Sequence, residues 1–219
     1  MKKLLIILSI FAMLITPFTA LAILELPEAE YADDVIEDFS NFENPFPDTD
    51  LTTLAGKSAA ELYRRFVIKG YPDGEFKGYN NVNRAEAAKF LIIARFGEVT
   101  TAIDNDNQFP DVSEGEWYEK YILTAAKKSI INGYPDGYFR PENWVNTAEF
   151  LKMLTLTFDM PLNEDYDFVD VNEEDWFAQY AGSAENYNLF PNRTTNLDPA
   201  SFVTREEVAV AIYQFLRNR

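Results

Sequence analysis

The sequence predicts an all-α protein that is built from repeated helix-loop-helix units. It matches itself at a shift of 63 residues, which brings Phe46 onto Phe109. Within each copy, apolar residues recur at the spacing of an amphipathic helix. A helix-capping pattern then marks the start of a second helix. Self-similarity on this scale is typical of repeat proteins, whose units bury their apolar faces against one another.

The first two copies align without a gap over about forty positions. The matches include Phe-Pro-Asp at residues 46–48 and 109–111, and Gly-Tyr-Pro-Asp-Gly at residues 70–74 and 133–137. A third copy begins at Phe168 and has a different middle, where residues 189–192 replace the glycine loop. We therefore predict repeats at residues 46–100, 101–160 and 161–219.

The first helix of a repeat is clearest in the second copy. Apolar residues follow Trp117 at helical spacing, at Ile122, Ala125 and Ile130. We expect Gly133 to end this helix at its C′ position, and the Pro-Asp-Gly sequence to turn the chain.

The second helix starts at an Asn or Thr that is followed three residues later by Glu. The pairs are Asn83 with Glu86, Asn146 with Glu149, and Thr204 with Glu207. This spacing is that of a capping box, so the glutamates are predicted to stabilise helix starts and not to catalyse hydrolysis. One helix pair cannot bury its apolar stripe alone, so we expect the copies to pack into one domain.

Two segments precede the repeats. Residues 1–22 combine a cationic start, an apolar run and an Ala-Leu-Ala end, which is the pattern of a secretory signal peptide. The alternative is a retained membrane anchor, for which the apolar run is short. Residues 23–45 are acidic and lack a pattern, so we predict a flexible lead-in.

Composition excludes several kinds of site. The chain contains no Cys and no His, so we expect no disulfide, no thiolate metal site and no Ser-His-Asp triad. Residues 104–107 lack the Gly and the terminal Glu of a calcium-binding loop, and we expect no metal and no cofactor. Its net charge of −17 disfavours nucleic acid, and no later stretch is apolar enough for insertion into a membrane. An enzyme that works with carboxylates alone stays open on these grounds.

Arg84 and Arg205 are candidate ligand-binding residues. Both follow a predicted N-cap directly, where the helix dipole disfavours a cation. A guanidinium beside exposed helix N–H groups makes a good anion site. The alternative is a salt bridge to a neighbouring acid. Thr147 stands at this position in the second copy.

Other candidates are aromatic, acidic or glycine residues. Trp117 and Trp176 could pack in the core or stack against sugar rings. Asp48, Asp111 and Asp170 are predicted to cap the first helices or to bind the turn. The glycine loops would let backbone N–H groups approach a ligand closely, through Gly70, Asp73, Gly74, Gly133, Asp136 and Gly137.

The order of these motifs resembles the S-layer homology family. The motifs are Phe-x-Asp-Val, a Trp, Gly-Tyr-Pro-Asp-Gly-x-Phe-x-Pro and Thr-Arg-(Ala/Glu)-Glu, and the resemblance covers nearly all of residues 46–216. It implies three repeats with pseudo-threefold symmetry around a central helix bundle. It also implies binding of secondary cell-wall polymers, often pyruvylated, in grooves between repeats. The arginine that contacts the anionic sugar would be Arg84 or Arg205, with Trp117, Trp176 and the glycine loops as groove walls.

The resemblance predicts a non-enzymatic protein that is secreted to the cell wall of a prokaryote. It would anchor an exported protein by binding an anionic secondary cell-wall polysaccharide or a peptidoglycan-linked glycan. Residues 57–95 carry eight cations against four acids, which offers an anionic polymer one obvious region. A structural protein that acts by self-association is the alternative.

Overall fold

The computed structural model describes residues 35–99, 105–106 and 108–219. The predicted signal peptide and the first part of the lead-in lie outside these residues. The helices are α1 (Leu54–Arg64), α2 (Arg84–Phe96), α3 (Glu119–Lys127), α4 (Thr147–Thr157), α5 (Ala178–Asn186) and α6 (Arg205–Asn218). The described residues contain no β-strand beyond three isolated bridges, so the all-α prediction is confirmed. None of these helices has the length and apolar character needed to cross a membrane.

The first helices end in a motif that the sequence analysis did not predict. After α1, Phe66 adopts a left-handed φ of 60°. Its N–H donates to the carbonyl of Tyr63, and the N–H of Val67 donates to that of Leu62, which is the Schellman pattern. Ser129 after α3 and Asn188 after α5 have φ values of 59° and 47° and the same pair of bonds.

The predicted helix stop at Gly133 is therefore wrong. Gly70 and Gly133 serve the loop that follows the helix, with φ values of 75° and 71°. A Cβ on Gly70 would lie 2.7 Å from Cε1 of Phe46, and one on Gly133 would lie 2.6 Å from Cε1 of Phe109. Glycine is required here because the loop crosses directly over a buried phenyl ring.

The aspartate that recurs near the start of each copy is hydrogen-bonded to the segment that follows the loop. Oδ1 and Oδ2 of Asp48 accept hydrogen bonds from the N–H groups of Phe76 and Lys77, both at 2.8 Å. Asp111 binds the N–H groups of residues 139 and 140, and Asp170 binds those of residues 197 and 198. These aspartates hold the turn and do not cap the first helices.

The second helices begin as predicted. Capping boxes are present at the starts of α2, α4 and α6, with Asn83, Asn146 and Thr204 as N-caps. Both halves of each box are formed, so the prediction of a structural role for Glu86, Glu149 and Glu207 is confirmed.

A closed ring of backbone hydrogen bonds joins the segments in front of α2, α4 and α6. The N–H of Val82 donates to Val203, that of Val203 to Val145, and that of Val145 to Val82, at 3.0 to 3.1 Å. All three side chains are fully buried. The ring fixes the starts of the three helices relative to one another.

The helices pack into one core below this ring. Helix α2 contacts α3, α4 and α6, α4 contacts α5, and α1 packs mainly against α6. Part of the predicted flexible lead-in joins this core, because Phe39 is buried and the Tyr213 hydroxyl donates to the carbonyl of Ile36. The first and last described parts of the chain are thus in contact.

Candidate functional site

Three grooves are each lined by an arginine and by a glutamate from the start of a second helix, and we name them A, B and C. Groove A has a volume of about 190 Å³ and is lined by Val67, Lys69, Gly70, Tyr71, Glu86, Lys89, Phe90, Trp117 and Arg205. Groove B has a volume of about 530 Å³ and is lined by Arg84, Ile130, Ile131, Asn132, Gly133, Tyr134, Pro135, Glu149, Lys152, Met153 and Trp176. Groove C has a volume of about 280 Å³ and is lined by Thr53, Leu54, Ala55, Leu189, Phe190, Pro191, Asn192, Arg193, Glu206, Glu207 and Val210.

Arg205 is held at the floor of groove A by the first copy. Its Nε donates to the carbonyl of Phe76 at 3.0 Å, and its guanidinium carbon lies 4.7 Å from the ring centroid of Tyr71. Nη1 lies 3.7 Å from Oε1 of Glu86, which is an ion-pair distance without a hydrogen bond. Within the described part of the chain, the terminal nitrogens have no hydrogen-bond acceptor and are available to a ligand.

Arg84 has the same environment in groove B. Its Nε donates to the carbonyl of Phe139 at 2.9 Å, and its guanidinium lies against the ring of Tyr134 at 4.6 Å. Nη1 is 3.4 Å from Oε1 of Glu149, whose oxygen also accepts the Tyr134 hydroxyl at 2.8 Å. The alternative of a salt bridge is thus partly realised, but the pair is loose in both grooves.

The two tryptophans line the same grooves as these arginines. Trp117 in groove A is 48% exposed and Trp176 in groove B is 54% exposed, so of the two alternatives packing in the core is excluded. An exposed indole beside a polar groove can stack against the apolar face of a sugar ring.

Lys89 and Lys152 are groove residues that the sequence analysis missed. Lys89 Nζ lies 5.4 Å from the ring centroid of Trp117, and Lys152 Nζ lies 5.6 Å from that of Trp176. Burial lowers the pKa of the Lys89 ammonium, which reflects its position inside the groove. The 63-residue shift that aligns the copies also aligns these two lysines, so the signal was present in the sequence.

The tips of the glycine loops do not line these grooves. Gly70 and Gly133 are in groove walls, whereas Asp73, Gly74, Asp136 and Gly137 are not. The Asp73 carboxylate pairs with Lys77, and that of Asp136 pairs with Arg140. The structure therefore brings together six of the ten predicted site residues, in two groups of three.

Charge differs between the grooves. Groove A has three cations, Lys69, Lys89 and Arg205, against the single carboxylate of Glu86. Groove B has Arg84 and Lys152 against Glu149. The cation-rich stretch at residues 57–95 therefore serves groove A through its lysines, while Arg84 from the same stretch serves groove B.

The S-layer homology domain matches residues 45–88 and residues 108–151. These two stretches of the chain are therefore similar to the S-layer homology domain. Both matches run from the aspartate segment into the second helix, α2 or α4, and so include the glycine loop.

Several curated proteins are similar to this chain. Cell surface glycoprotein 1 of Acetivibrio thermocellus is 32% identical over 61% of this chain and 6% of its own length. The cellulosome-anchoring protein of the same organism is 35% identical over 50% of this chain and 25% of its own length. An amylopullulanase of Thermoanaerobacterium thermosulfurigenes is 28% identical over 52% of this chain and 6% of its own length. The chain spans at most a quarter of the length of these relatives.

The two stretches that match the S-layer homology domain and the surface-protein relatives indicate a secreted protein of the cell surface. The matches to the S-layer homology domain point to a non-catalytic domain, although some similar proteins, such as the amylopullulanase, are enzymes.

Proposed function

We propose that this chain anchors an exported protein to the cell envelope by binding an anionic, pyruvylated cell-wall polysaccharide in grooves A and B. The observation that carries the proposal is the repetition of one constellation. Each groove combines an arginine, a loosely paired glutamate, a lysine, a tyrosine and an exposed tryptophan. Catalysis has no part in this function.

The two cations and the indole suit an acidic sugar. A guanidinium with unused donors can grip a carboxylate, and the adjacent ammonium adds charge in a site that is partly shielded from water. The indole covers the apolar face of the ring. Glycans that lack the acid would keep the stacking contact and lose the charge-assisted hydrogen bonds.

We also propose that residues 161–219 are a third, diverged repeat, which completes a pseudo-threefold arrangement. Three features of this segment support it. Asp170 binds backbone N–H groups as Asp48 and Asp111 do, Asn188 ends α5 with the same bonds as Phe66, and Val203 completes the valine ring. The boundaries at residues 46–100 and 101–160 follow from the same comparison.

Calorimetric titration with a hexosamine glycoside that carries a pyruvate ketal tests the proposed binding. We expect Arg205→Gln to weaken groove A and Arg84→Gln to weaken groove B, each by about 1.5 to 3 kcal/mol, as for a lost charge-assisted hydrogen bond. The double variant should lose measurable binding. Arg217→Gln is the control, because this exposed arginine lies on the same helix as Arg205 and outside the grooves. Unchanged affinity in the double variant would remove the glycan proposal.

Self-association is the second candidate function. Trp144 and Phe202 directly precede two valines of the ring and are about half exposed, at 48% and 49%. Exposed aromatic residues of this kind are common at protein interfaces. Sedimentation velocity would support this role if the protein forms oligomers that Trp144→Ser dissociates. A monomer at all concentrations would exclude it.

A further inference from the structure

Groove C differs from the other grooves in the origin of its guanidinium. The first residue of α4 is Thr147, whereas α2 and α6 begin with Arg84 and Arg205. A guanidinium is nevertheless present, because Arg193 reaches the groove from the segment that replaces the glycine loop. The guanidinium of groove C therefore does not come from the start of a helix, as it does in grooves A and B.

The guanidinium of Arg193 binds the groups that correspond to those around Arg84 and Arg205. Its Nη1 donates to the carbonyl of Leu197 at 2.7 Å, as the other arginines donate to Phe76 and Phe139. The correspondence follows from the aspartates, since Asp170 binds the N–H of Leu197 as Asp48 binds that of Phe76. Its Nη2 lies 2.7 Å from Oε1 of Glu207.

Arg193 differs from the other arginines in that every nitrogen is used internally. Nε and Nη2 both donate to Oε1 of Glu207, at 3.0 and 2.7 Å. Nη1 donates to the Thr147 hydroxyl at 2.7 Å and to that of Ser201 at 2.9 Å, besides the Leu197 carbonyl. The side chain is only 10% exposed. An incoming anion would have to break this network.

The rest of groove C also lacks what an anion needs. The lysine that follows the arginine by five positions in α2 is Lys89, and Val210 takes this place in α6. Leu54 stands where groove A has an exposed tryptophan. Two carboxylates, Glu206 and Glu207, face the single cation Arg193, so the local charge repels an anion.

We propose that the chain has two anion sites and not three. In groove C every nitrogen of the Arg193 guanidinium donates to a group of the protein itself, so this groove stabilises the fold and does not bind an anion. This inference rests on the proposed binding of an anionic glycan in grooves A and B. Arg193 stabilises the contact between α4, α6 and the loop before residue 197, and it contributes nothing to ligand binding.

Stoichiometry is the direct test, with the pyruvylated hexosamine glycoside as the probe in calorimetric titration. The wild-type chain should bind two molecules. Arg193→Gln should lower the melting temperature, because it breaks the network, and should leave both the stoichiometry and the affinity within twofold of wild type. Three bound molecules, or the loss of a site in Arg193→Gln, would overturn the inference while leaving the proposed function intact.

A reconstruction of groove C provides an independent measurement. The variant Leu54→Trp/Thr147→Arg/Arg193→Gln/Val210→Lys returns the arginine to the start of α4 and restores both the lysine and the tryptophan. The backbone is suited to this change, because the N-caps of α2 and α4 have nearly identical dihedral angles. We expect a third bound molecule. A variant that melts cooperatively and still binds two would overturn the inference, and a wild-type chain that binds none would overturn the proposed function with it.

Discussion

The glutamate at the third position of α2, α4 and α6 serves the helix and the groove with different oxygens. In α2, Oε2 of Glu86 accepts the N–H of Asn83 at 3.0 Å, while Oε1 faces the guanidinium of Arg205. Glu149 faces Arg84 and Glu207 faces Arg193 in the same way. Each cap therefore also sets the electrostatic surroundings of a groove arginine.

Loss of this glutamate should be measurable as a loss of stability. We expect Glu86→Ala to reduce the free energy of unfolding by about 0.5 to 2 kcal/mol, the range for a lost cap. Glu86→Gln should cost less, because the amide oxygen can still accept the N–H of Asn83. Urea unfolding measures both. Equal losses in the two variants would show that the charge, and not the capping hydrogen bond, carries the effect.

Arg84 also stabilises the fold, which its position in the sequence does not reveal. A cation in the first turn of a helix is unfavourable on dipole grounds, so the sequence alone predicts that Arg84→Ala is nearly neutral for stability. The structure shows a buried side chain whose Nε satisfies the carbonyl of Phe139. Removing it would leave that carbonyl without a partner, which is costly. Glutamine is therefore the better replacement in binding experiments.

Thr147 also has a structural role that its position in the sequence does not reveal. Its position in the sequence alone predicts that Thr147→Ala changes nothing and that Thr147→Arg adds a binding residue. In the structure its hydroxyl is buried and accepts a hydrogen bond from Arg193. An arginine at residue 147 would meet the guanidinium already in place, so it needs the simultaneous removal of Arg193.

Glu206 provides a pH-dependent test at the residue scale. Burial raises the pKa of its carboxyl group, and the neighbouring Glu207 raises the pKa further. A raised pKa means that the folded protein holds the proton more tightly than the unfolded chain does. The ionised carboxylate therefore destabilises the fold, and stability from this group falls as the pH rises through the range between the two pKa values.

We expect Glu206→Gln to raise the melting temperature at about pH 7 and to have little effect at about pH 4, where the wild-type carboxyl is mostly protonated. Thermal unfolding at both pH values measures the difference. The exposed Glu174 gives the control variant Glu174→Gln, which should change nothing at either pH. A gain of equal size at both pH values would contradict the electrostatic explanation.

At the scale of the elements, each helix pair is held together by an aspartate that bridges it. Asp111 binds the N–H groups of Phe139 at 2.9 Å and Arg140 at 2.6 Å, across 28 and 29 residues of chain. Arg140 has a left-handed φ of 59°, a conformation that costs free energy outside glycine. The carboxylate stabilises this turn and thereby fixes how the loop enters α4.

Removal of this bridge should destabilise the protein more than removal of a surface acid. We expect Asp111→Ala to cost roughly 1.5 to 3 kcal/mol, as for hydrogen bonds to a charged group. Asp136→Ala is the matched control, because its carboxylate pairs with Arg140 at the exposed loop tip and should contribute about 1 kcal/mol or less. Chemical unfolding would contradict this view if the two variants lost equal stability.

At the scale of the molecule, the sequence predicted what is local and periodic. The helix pairs, the capping boxes and the need for glycine in the loops follow from spacing within one copy. The set of residues that line one groove does not follow from this spacing, because groove A combines Gly70, Trp117 and Arg205 from distant parts of the chain. The role of Arg193 could not be predicted either. Its guanidinium takes the place that the guanidinium of Arg84 or Arg205 has in the other grooves, but the residue that aligns with those arginines is Thr147. The role of Arg193 depends on a contact between residues 46 positions apart.

The valine ring makes all three parts of the molecule depend on one another. Each valine donates to one neighbour and accepts from the other, so removing one of them leaves both remaining segments with unpaired backbone groups. Removal of α6 also exposes the apolar face of α1, because α1 packs mainly against that helix. A fold of this kind should unfold as a single unit.

We therefore expect the full chain to melt in one sharp transition and a chain of residues 1–160 to lack it. The truncated chain loses Val203, the α6 surface that covers α1, and the Arg205 bond to the Phe76 carbonyl. Circular dichroism on heating measures both chains. Addition of a separate fragment of residues 161–219 is the control, since a non-covalent interface should restore the cooperative transition. Residues 1–160 alone could instead melt as sharply as the full chain and at the same temperature. In that case the proposal of a shared core would be wrong, and the first two repeats would fold without the third segment.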